Sequence, residues 1–201
     1  MPLTLLPLPQ AEVLLDPAFL PPAAAAALLA ELTATIPWRQ EPIRLFGKEV
    51  LQPRLTAWHG DPDARYAYSG LALTPQPWTP ALLHLRAQVQ AATGSRFNSV
   101  LLNLYRSGQD SMGWHADNEP ELGPAPVIAS VSLGAPRRFR LRPRHPPPVP
   151  PAAVTLELAS GSLLVMRGPT QQHWLHAVPK TAVPTGPRLN LTFRLVSGRG
   201  Q

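Results

Sequence analysis

The chain has 201 residues, with 18 lysines and arginines against 12 acidic residues and no cysteine. That length fits one domain, and the missing cysteines exclude disulfides, thiolate zinc sites and a cysteine nucleophile. A hydrophobic content of 44% excludes wholesale disorder, and the net charge of +6 favours polyanionic partners such as nucleic acid.

The opening Met1-Pro2-Leu3-Thr4-Leu5-Leu6-Pro7 is apolar but has no basic n-region and is broken by prolines, so it is not read as a signal peptide. No run of about 18 apolar residues follows, so no membrane partner is expected and the default is a soluble, cytoplasmic protein. A helix is predicted over 22–35, where prolines precede an alanine run of high helical propensity. Strands follow at about 42–46, 49–52, 54–59 and 65–68. A second helix spans 80–93, with Thr79 as cap, Pro80 in the first turn and Gly94 at the exit. Its Leu82, Leu85, Val89 and Ala92 recur at helical spacing and would pack on a sheet. Further strands are predicted at 99–105, 127–134, 137–142, 153–158, 162–166, 173–178 and 188–195. Of the 27 prolines, six crowd at 143–151, which reads as a stiff exposed loop because proline donates no ladder hydrogen bond. Many short strands between turn residues argue for a mainly β chain with flanking helices, built as an antiparallel double-sheet roll.

Two constellations carry chemistry. His115 and Asp117 are two apart, so an extended backbone aims both at one point. With a distant histidine they make two imidazoles and a carboxylate, the ligand set of non-heme Fe(II) oxygenases with open coordination sites. His176 and His173 both compete for the third place, and the pattern alone does not choose between them. In the last strand, Arg188, Asn190, Thr192 and Arg194 form one polar row, and Leu189, Leu191, Phe193 and Leu195 the opposite apolar row. Two arginines on one face need an anion or water. Arg188 and Arg194 stand about 20 Å apart at strand rise, so their long side chains could grip opposite ends of a small dicarboxylate. Asn103 and Tyr105, also two apart, would add an amide and a phenol.

These residues resemble the AlkB-type Fe(II)/2-oxoglutarate-dependent dioxygenases that repair alkylated nucleic acid. The matching pieces are Asn103-Leu104-Tyr105, His115-Ala116-Asp117 with Glu119, Ser130-Val131-Ser132-Leu133-Gly134, His173-Trp174-Leu175-His176 and Pro187-Arg188-Leu189-Asn190-Leu191-Thr192-Phe193-Arg194. Phe46-Gly47-Lys48, Pro53-Arg54 and Tyr66-Ala67-Tyr68-Ser69-Gly70 look most like the branch that acts on DNA. The resemblance implies a double-stranded β-helix of the jelly-roll kind. It implies an N-terminal extension and helix at 1–40, a nucleotide-recognition lid and supporting helix at 41–98, and a catalytic core at 99–197, all one structural domain. It implies His115, Asp117 and His176 as ligands of Fe(II), with 2-oxoglutarate and O2 as co-substrates. Arg188, helped by Tyr105, would take the distal carboxylate, with Arg194 and Asn103 near the other and Asn190 in the same pocket.

The implied reaction is oxidative demethylation of N1-methyladenine and N3-methylcytosine in DNA, releasing formaldehyde, succinate and CO2. The same chemistry on RNA or a protein side chain, or a catalytically dead nucleic-acid-binding module, are the rival readings. A flipped base needs stacking surface and a polar partner. Tyr66 and Tyr68 would stack, Glu119 would meet the exocyclic amine, and Phe46 at a hairpin tip would wedge into the vacated gap. Arg44, Lys48, Arg54, Arg65, Arg106, Arg137, Arg138 and Arg140 are candidates for phosphate contacts. A monomer is expected.

Overall fold

A computed structural model describes residues 2–45, 47–64, 66–68, 71–145 and 153–197, with backbone alone at 43–45, 66–68 and 71–73. In chain order the first elements are β1 (Thr4–Leu5), β2 (Glu12–Asp16), α1 (Pro22–Thr35), β3 (Pro42–Leu45), β4 (Lys48–Leu51), β5 (Leu55–Gly60), β6 (Tyr66–Tyr68), β7 (Leu71–Leu73) and α2 (Pro80–Thr93). Then come β8 (Ser99–Tyr105), β9 (Met112–His115), a 3-10 turn at Pro120–Leu122, β10 (Ile128–Gly134), β11 (Arg137–Pro143) and β12 (Val154–Leu158). The last are β13 (Leu163–Arg167), α3 (Thr170–His173), β14 (Trp174–Val178) and β15 (Arg188–Arg194).

Seven strands form an antiparallel sheet in the order β1-β2-β13-β10-β15-β8-β5, and four form a second in the order β12-β11-β14-β9. β3–β4 and β6–β7 are separate hairpins. The two larger sheets make the expected double-stranded β-helix. The strand alternation decides what lies on each side. Leu189, Leu191 and Phe193 of β15 join Val100, Leu102 and Leu104 of β8 in a core closed by Leu82, Leu85 and Val89 of α2 and Ala25 and Leu32 of α1. A second core lies between the sheets, where Ile128, Leu164 and Met166 meet Phe139, Leu141, Leu158 and Trp174. The polar row of β15 therefore faces the gap between sheets, not water.

Both long helices follow their sequence signals. Thr79 Oγ1 accepts from the Leu82 amide at 3.3 Å, and Gly94 exits in the left-handed region at φ 66°. Ala92, expected on the packed face, is exposed.

Several expectations need correction. The larger sheet also takes in strands before residue 99, since β2 pairs with β13 and β5 with β8. β1, β2, β7 and β9 were not expected. β9 contains Gly113 and no apolar alternation, and its extended form comes from pairing with β14. The strand expected from 173 begins at Trp174, because a turn of helix ends at His173. Leu195 lies past the end of β15 and is 49% exposed, so it is not part of the apolar row. Most of the proline loop, 146–152, lies outside the described residues, as do Phe46 and Arg65. No described helix is long and apolar enough to cross a membrane.

Candidate metal centre and anion pocket

β9 and β14 pair so that His115 stands opposite His176. Asp117 comes two residues later, after the strand has ended. Its backbone amide donates to Gln171 Oε1 at 2.9 Å, which fixes the chain there. His115, Asp117 and His176 bring ligand atoms within 4.8 Å of one another. His176 Nε2 is 3.7 Å from Asp117 Oδ2, and the imidazole centroids are 4.2 Å apart. Neighbouring ligands each about 2.1 Å from a divalent ion stand roughly 3 Å apart, so one ion fits after a small contraction. His115 Nδ1 lies 2.9 Å from the Gly113 carbonyl oxygen. A carbonyl only accepts, so Nδ1 carries the proton and Nε2 is left for a metal. His173 is not in this cluster.

The electrostatics suit metal ligation. Burial pushes the His176 imidazole down to about 3, reinforced by His115 and Arg194 and opposed by Asp117. It is neutral near pH 7, as a ligand must be. Burial alone would raise the Asp117 carboxyl, but the Arg194 guanidinium foremost outweighs it and holds the group below its usual range. Arg194 Nη2 donates to Asp117 Oδ1 at 2.6 Å, leaving Oδ2 on the His176 side.

The cluster itself lines an open-mouthed cleft of about 50 Å³. Asn103, Tyr105, Asn190, Thr192 and Arg194 line it together with Met112, Phe139 and Met166. Arg188 is 1% exposed, and its Nη2 donates to Ser132 Oγ and Asn190 Oδ1, each at 2.9 Å. Its Nε and Nη1 are buried without a partner among the described residues. Burial lowers its pKa, and Tyr105, with its ring 5.3 Å from the guanidinium, opposes that. A buried cation with unmade N–H bonds is costly by itself. It fits the carboxylate of a small acid. Arg194 Nε is likewise unpartnered. Asn103 Oδ1 accepts from Arg54 Nε at 2.7 Å, which leaves the Asn103 NH2 as the group free for a ligand. Asn190 is spent differently: its Oδ1 accepts from Ser130 as well as Arg188, and its Nδ2 donates to Thr192 Oγ1.

A family model described as the 2OG-Fe(II) oxygenase superfamily matches residues 12–194. The alpha-ketoglutarate-dependent dioxygenase alkB homolog 3 of Bos taurus is 43% identical over 192 residues, covering 92% of this chain and 66% of that protein. Its Homo sapiens counterpart is 41% identical over 201 residues, covering 96% and 69%. The chain belongs to the AlkB-type 2OG-Fe(II) oxygenases. The DNA oxidative demethylase ALKBH2 of Homo sapiens is 45% identical over 158 residues, covering 77% of this chain and 60% of that protein. The chain thus spans about two thirds of the length of the first relatives. The solved structure of OsALKBH1 superposes with a TM-score of 0.62 at 17% identity, covering 96% of this chain and 100% of that one, a likeness of fold.

The cofactors of an AlkB-type oxygenase of this superfamily are Fe(II) and 2-oxoglutarate, with O2 as second co-substrate. The His115–Asp117–His176 cluster is the candidate iron site, and the orphaned donors of Arg188 and Arg194 fit the keto acid. Among the substrate-side residues, Glu119 precedes the 3-10 turn and has Oε2 buried without a described partner. Tyr66 and Tyr68 lie two apart in β6, opposite Leu73 and Leu71. Phe46 lies outside the described residues.

Arg54, Arg137 and Arg106 each have partners within the protein. Arg54 is 8% exposed and turned to Asn103 and the Ser111 carbonyl. Arg137 is 4% exposed and donates to the carbonyls of Ser107, Asp110 and Pro179. Arg106 is paired with Asp110. In each case an internal acceptor takes the guanidinium. Sequence reasoning missed Gln171, the Ser132 cradle of Arg188, and Phe139, whose ring stacks 5.3 Å from His176. Ser130 and Ser132 alternate within β10, and that spacing was the available signal.

Proposed function

We propose that this AlkB-type oxygenase oxidatively demethylates N1-methyladenine and N3-methylcytosine in DNA. One N-methyl carbon leaves as formaldehyde, while 2-oxoglutarate and O2 become succinate and CO2. The carrying observation is that the His/Asp/His cluster shares one cleft with Asn103, Tyr105, Asn190 and Arg194, and that the half-satisfied guanidinium of Arg188 is held directly against Asn190 and the Tyr105 ring of that lining. Similarity to a DNA oxidative demethylase supports the nucleic-acid substrate.

His115, Asp117 and His176 would hold the ferrous ion. That ion supplies the coupling of dioxygen reduction to keto-acid decarboxylation. Arg188, beside Tyr105, would bind the distal carboxylate, and Arg194 and the Asn103 NH2 the carboxylate beside the keto group. Arg194 also keeps Asp117 ionised and turned so that Oδ2 is available. Met112, Phe139 and Met166 exclude water from the cleft wall. N-methylated adenine and cytosine carry a positive charge, which the Glu119 carboxylate, with its Oε2 unpartnered among the described residues, would complement. Tyr66 and Tyr68 would stack on the flipped base, with Phe46 as the wedge.

The test is incubation with Fe(II), 2-oxoglutarate, ascorbate and oligonucleotides bearing N3-methylcytosine, followed by mass spectrometry. The expected result is loss of one methylene from the DNA. It should be abolished in His176→Ala. Turnover confined to methylated RNA or to a peptide would overturn the DNA assignment.

A further inference from the structure

The outer face of the four-stranded sheet carries a basic row that the cleft does not use. Alternation along β11 sends Phe139 and Leu141 inward and Arg138, Arg140 and Arg142 outward, where all three are exposed. Arg144 follows just past the end of β11, half-buried, with its Nε unpartnered among the described residues. On β9, His115 faces the cleft, so Trp114 beside it faces out. Strand β14 runs between β9 and β11, and Ala177 is paired with Arg140 there. So small a side chain leaves room for an indole to reach across β14. Trp114 does meet the row: the guanidinium carbon of Arg142 is 4.3 Å from its ring centroid, and that of Arg140 is 5.6 Å away.

Cation–π stacking immobilises a guanidinium while leaving its in-plane N–H donors open. Those donors make no hydrogen bond or ion pair with a described residue in Arg140 or Arg142. The acid in register on β12 is Glu157, opposite Arg138, whereas Arg140 faces Thr155. The row repeats every second residue, about 6.6–6.8 Å per step. It is thus a linear, pre-ordered, nearly uncompensated positive charge. Its Trp114 end adjoins His115 of the candidate metal centre.

We propose that this face is a phosphate track, with Arg140 and Arg142 pinned by Trp114 and continued by Arg138 and Arg144. It would hold the sugar-phosphate backbone of a nucleic-acid strand beside the cleft. The inference rests on the reading of a nucleic-acid substrate. A strand's phosphates match a linear array of fixed guanidiniums, and contacts of this kind position a substrate without reading its bases.

The test measures binding of an unmodified fluorescent oligodeoxynucleotide by anisotropy at several salt concentrations. The Arg140→Gln/Arg142→Gln double variant should bind at least tenfold more weakly. Its log–log salt slope should fall by about 1.5–2, the loss of two phosphate contacts. Arg96→Gln, an exposed arginine remote in sequence from the track, should leave affinity within twofold. Tryptophan emission should change on binding in the wild type and lose that change in Trp114→Phe. Wild-type affinity retained in the double variant would overturn the track alone. An equal loss in Arg96→Gln, or an equal loss of affinity for a polyglutamate peptide, would also overturn it. A wild type that binds no nucleic acid would sink the substrate reading along with it.

Discussion

Replacing Arg188 with methionine should move stability and co-substrate affinity in opposite directions. The guanidinium is 1% exposed and carries two buried N–H groups without described partners. In the ligand-free protein its burial is only partly compensated, by Ser132, Asn190 and the Tyr105 ring. Methionine is close in length and has no charge to desolvate, so replacing the cation is about neutral or stabilising by up to ~2 kcal/mol. Asn190 Oδ1 keeps the Ser130 hydroxyl as donor, which limits the damage to the network. With 2-oxoglutarate the balance reverses. Each hydrogen bond to a charged group contributes about 1.5–3 kcal/mol, and two are lost. Affinity should therefore fall by at least a hundredfold, since about 1.4 kcal/mol is a factor of ten. Titration calorimetry with Mn(II) in place of Fe(II) reads the binding, and thermal unfolding of the ligand-free protein reads the stability. If Arg188→Met bound 2-oxoglutarate within threefold of wild type, the orphaned donors would not be its site.

His176→Ala should abolish Mn(II) or Co(II) binding while His173→Ala changes it less than threefold, as read by calorimetry or the Co(II) absorption spectrum. Gln171→Leu removes the acceptor of the Asp117 amide and should weaken metal affinity by about 10–100-fold with the fold intact by circular dichroism. The metal-free protein should lose stability in acid. His176 titrates lower folded than unfolded, so its contribution is complete above about pH 6.5 and declines as pH falls towards about 3, by at most roughly 5 kcal/mol. Asp117, also depressed, acts in the same direction at the acid end; denaturant midpoints in His176→Gln that fall as steeply between pH 6.5 and 4 would contradict this. Leu191→Ala, in the fully buried helix-side core, should cost about 2–5 kcal/mol in a urea titration. Size-exclusion chromatography with light scattering should give the mass of one 21.8 kDa chain.

Much of the site was written in local spacing. A two-residue step along extended chain sets which side chains share a face, so the polar row from Arg188 to Arg194 and the pair Asn103 and Tyr105 could be read directly. Helix α2 was equally legible, because its cap, its proline and its exit glycine act within a few residues. The β9 strand was not, since nothing in Met112-Gly113-Trp114-His115 favours extension until β14 pairs with it. The same limit explains the arginines. Arg54 and Arg137 look like any basic residue in sequence, and the acceptors that capture them come from distant segments.

Residue order alone supplies the available chemistry: two imidazoles, a carboxylate and a guanidinium row at spacings that alternation converts into faces. Only the packed chain shows that the row looks between sheets and not into solvent, that His115, Asp117 and His176 converge, and that Arg188 is left with two donors to offer. The reason is that periodicity fixes directions relative to one strand, whereas convergence depends on the long-range pairing of β9 with β14 and of β15 with β8, which no local signal encodes.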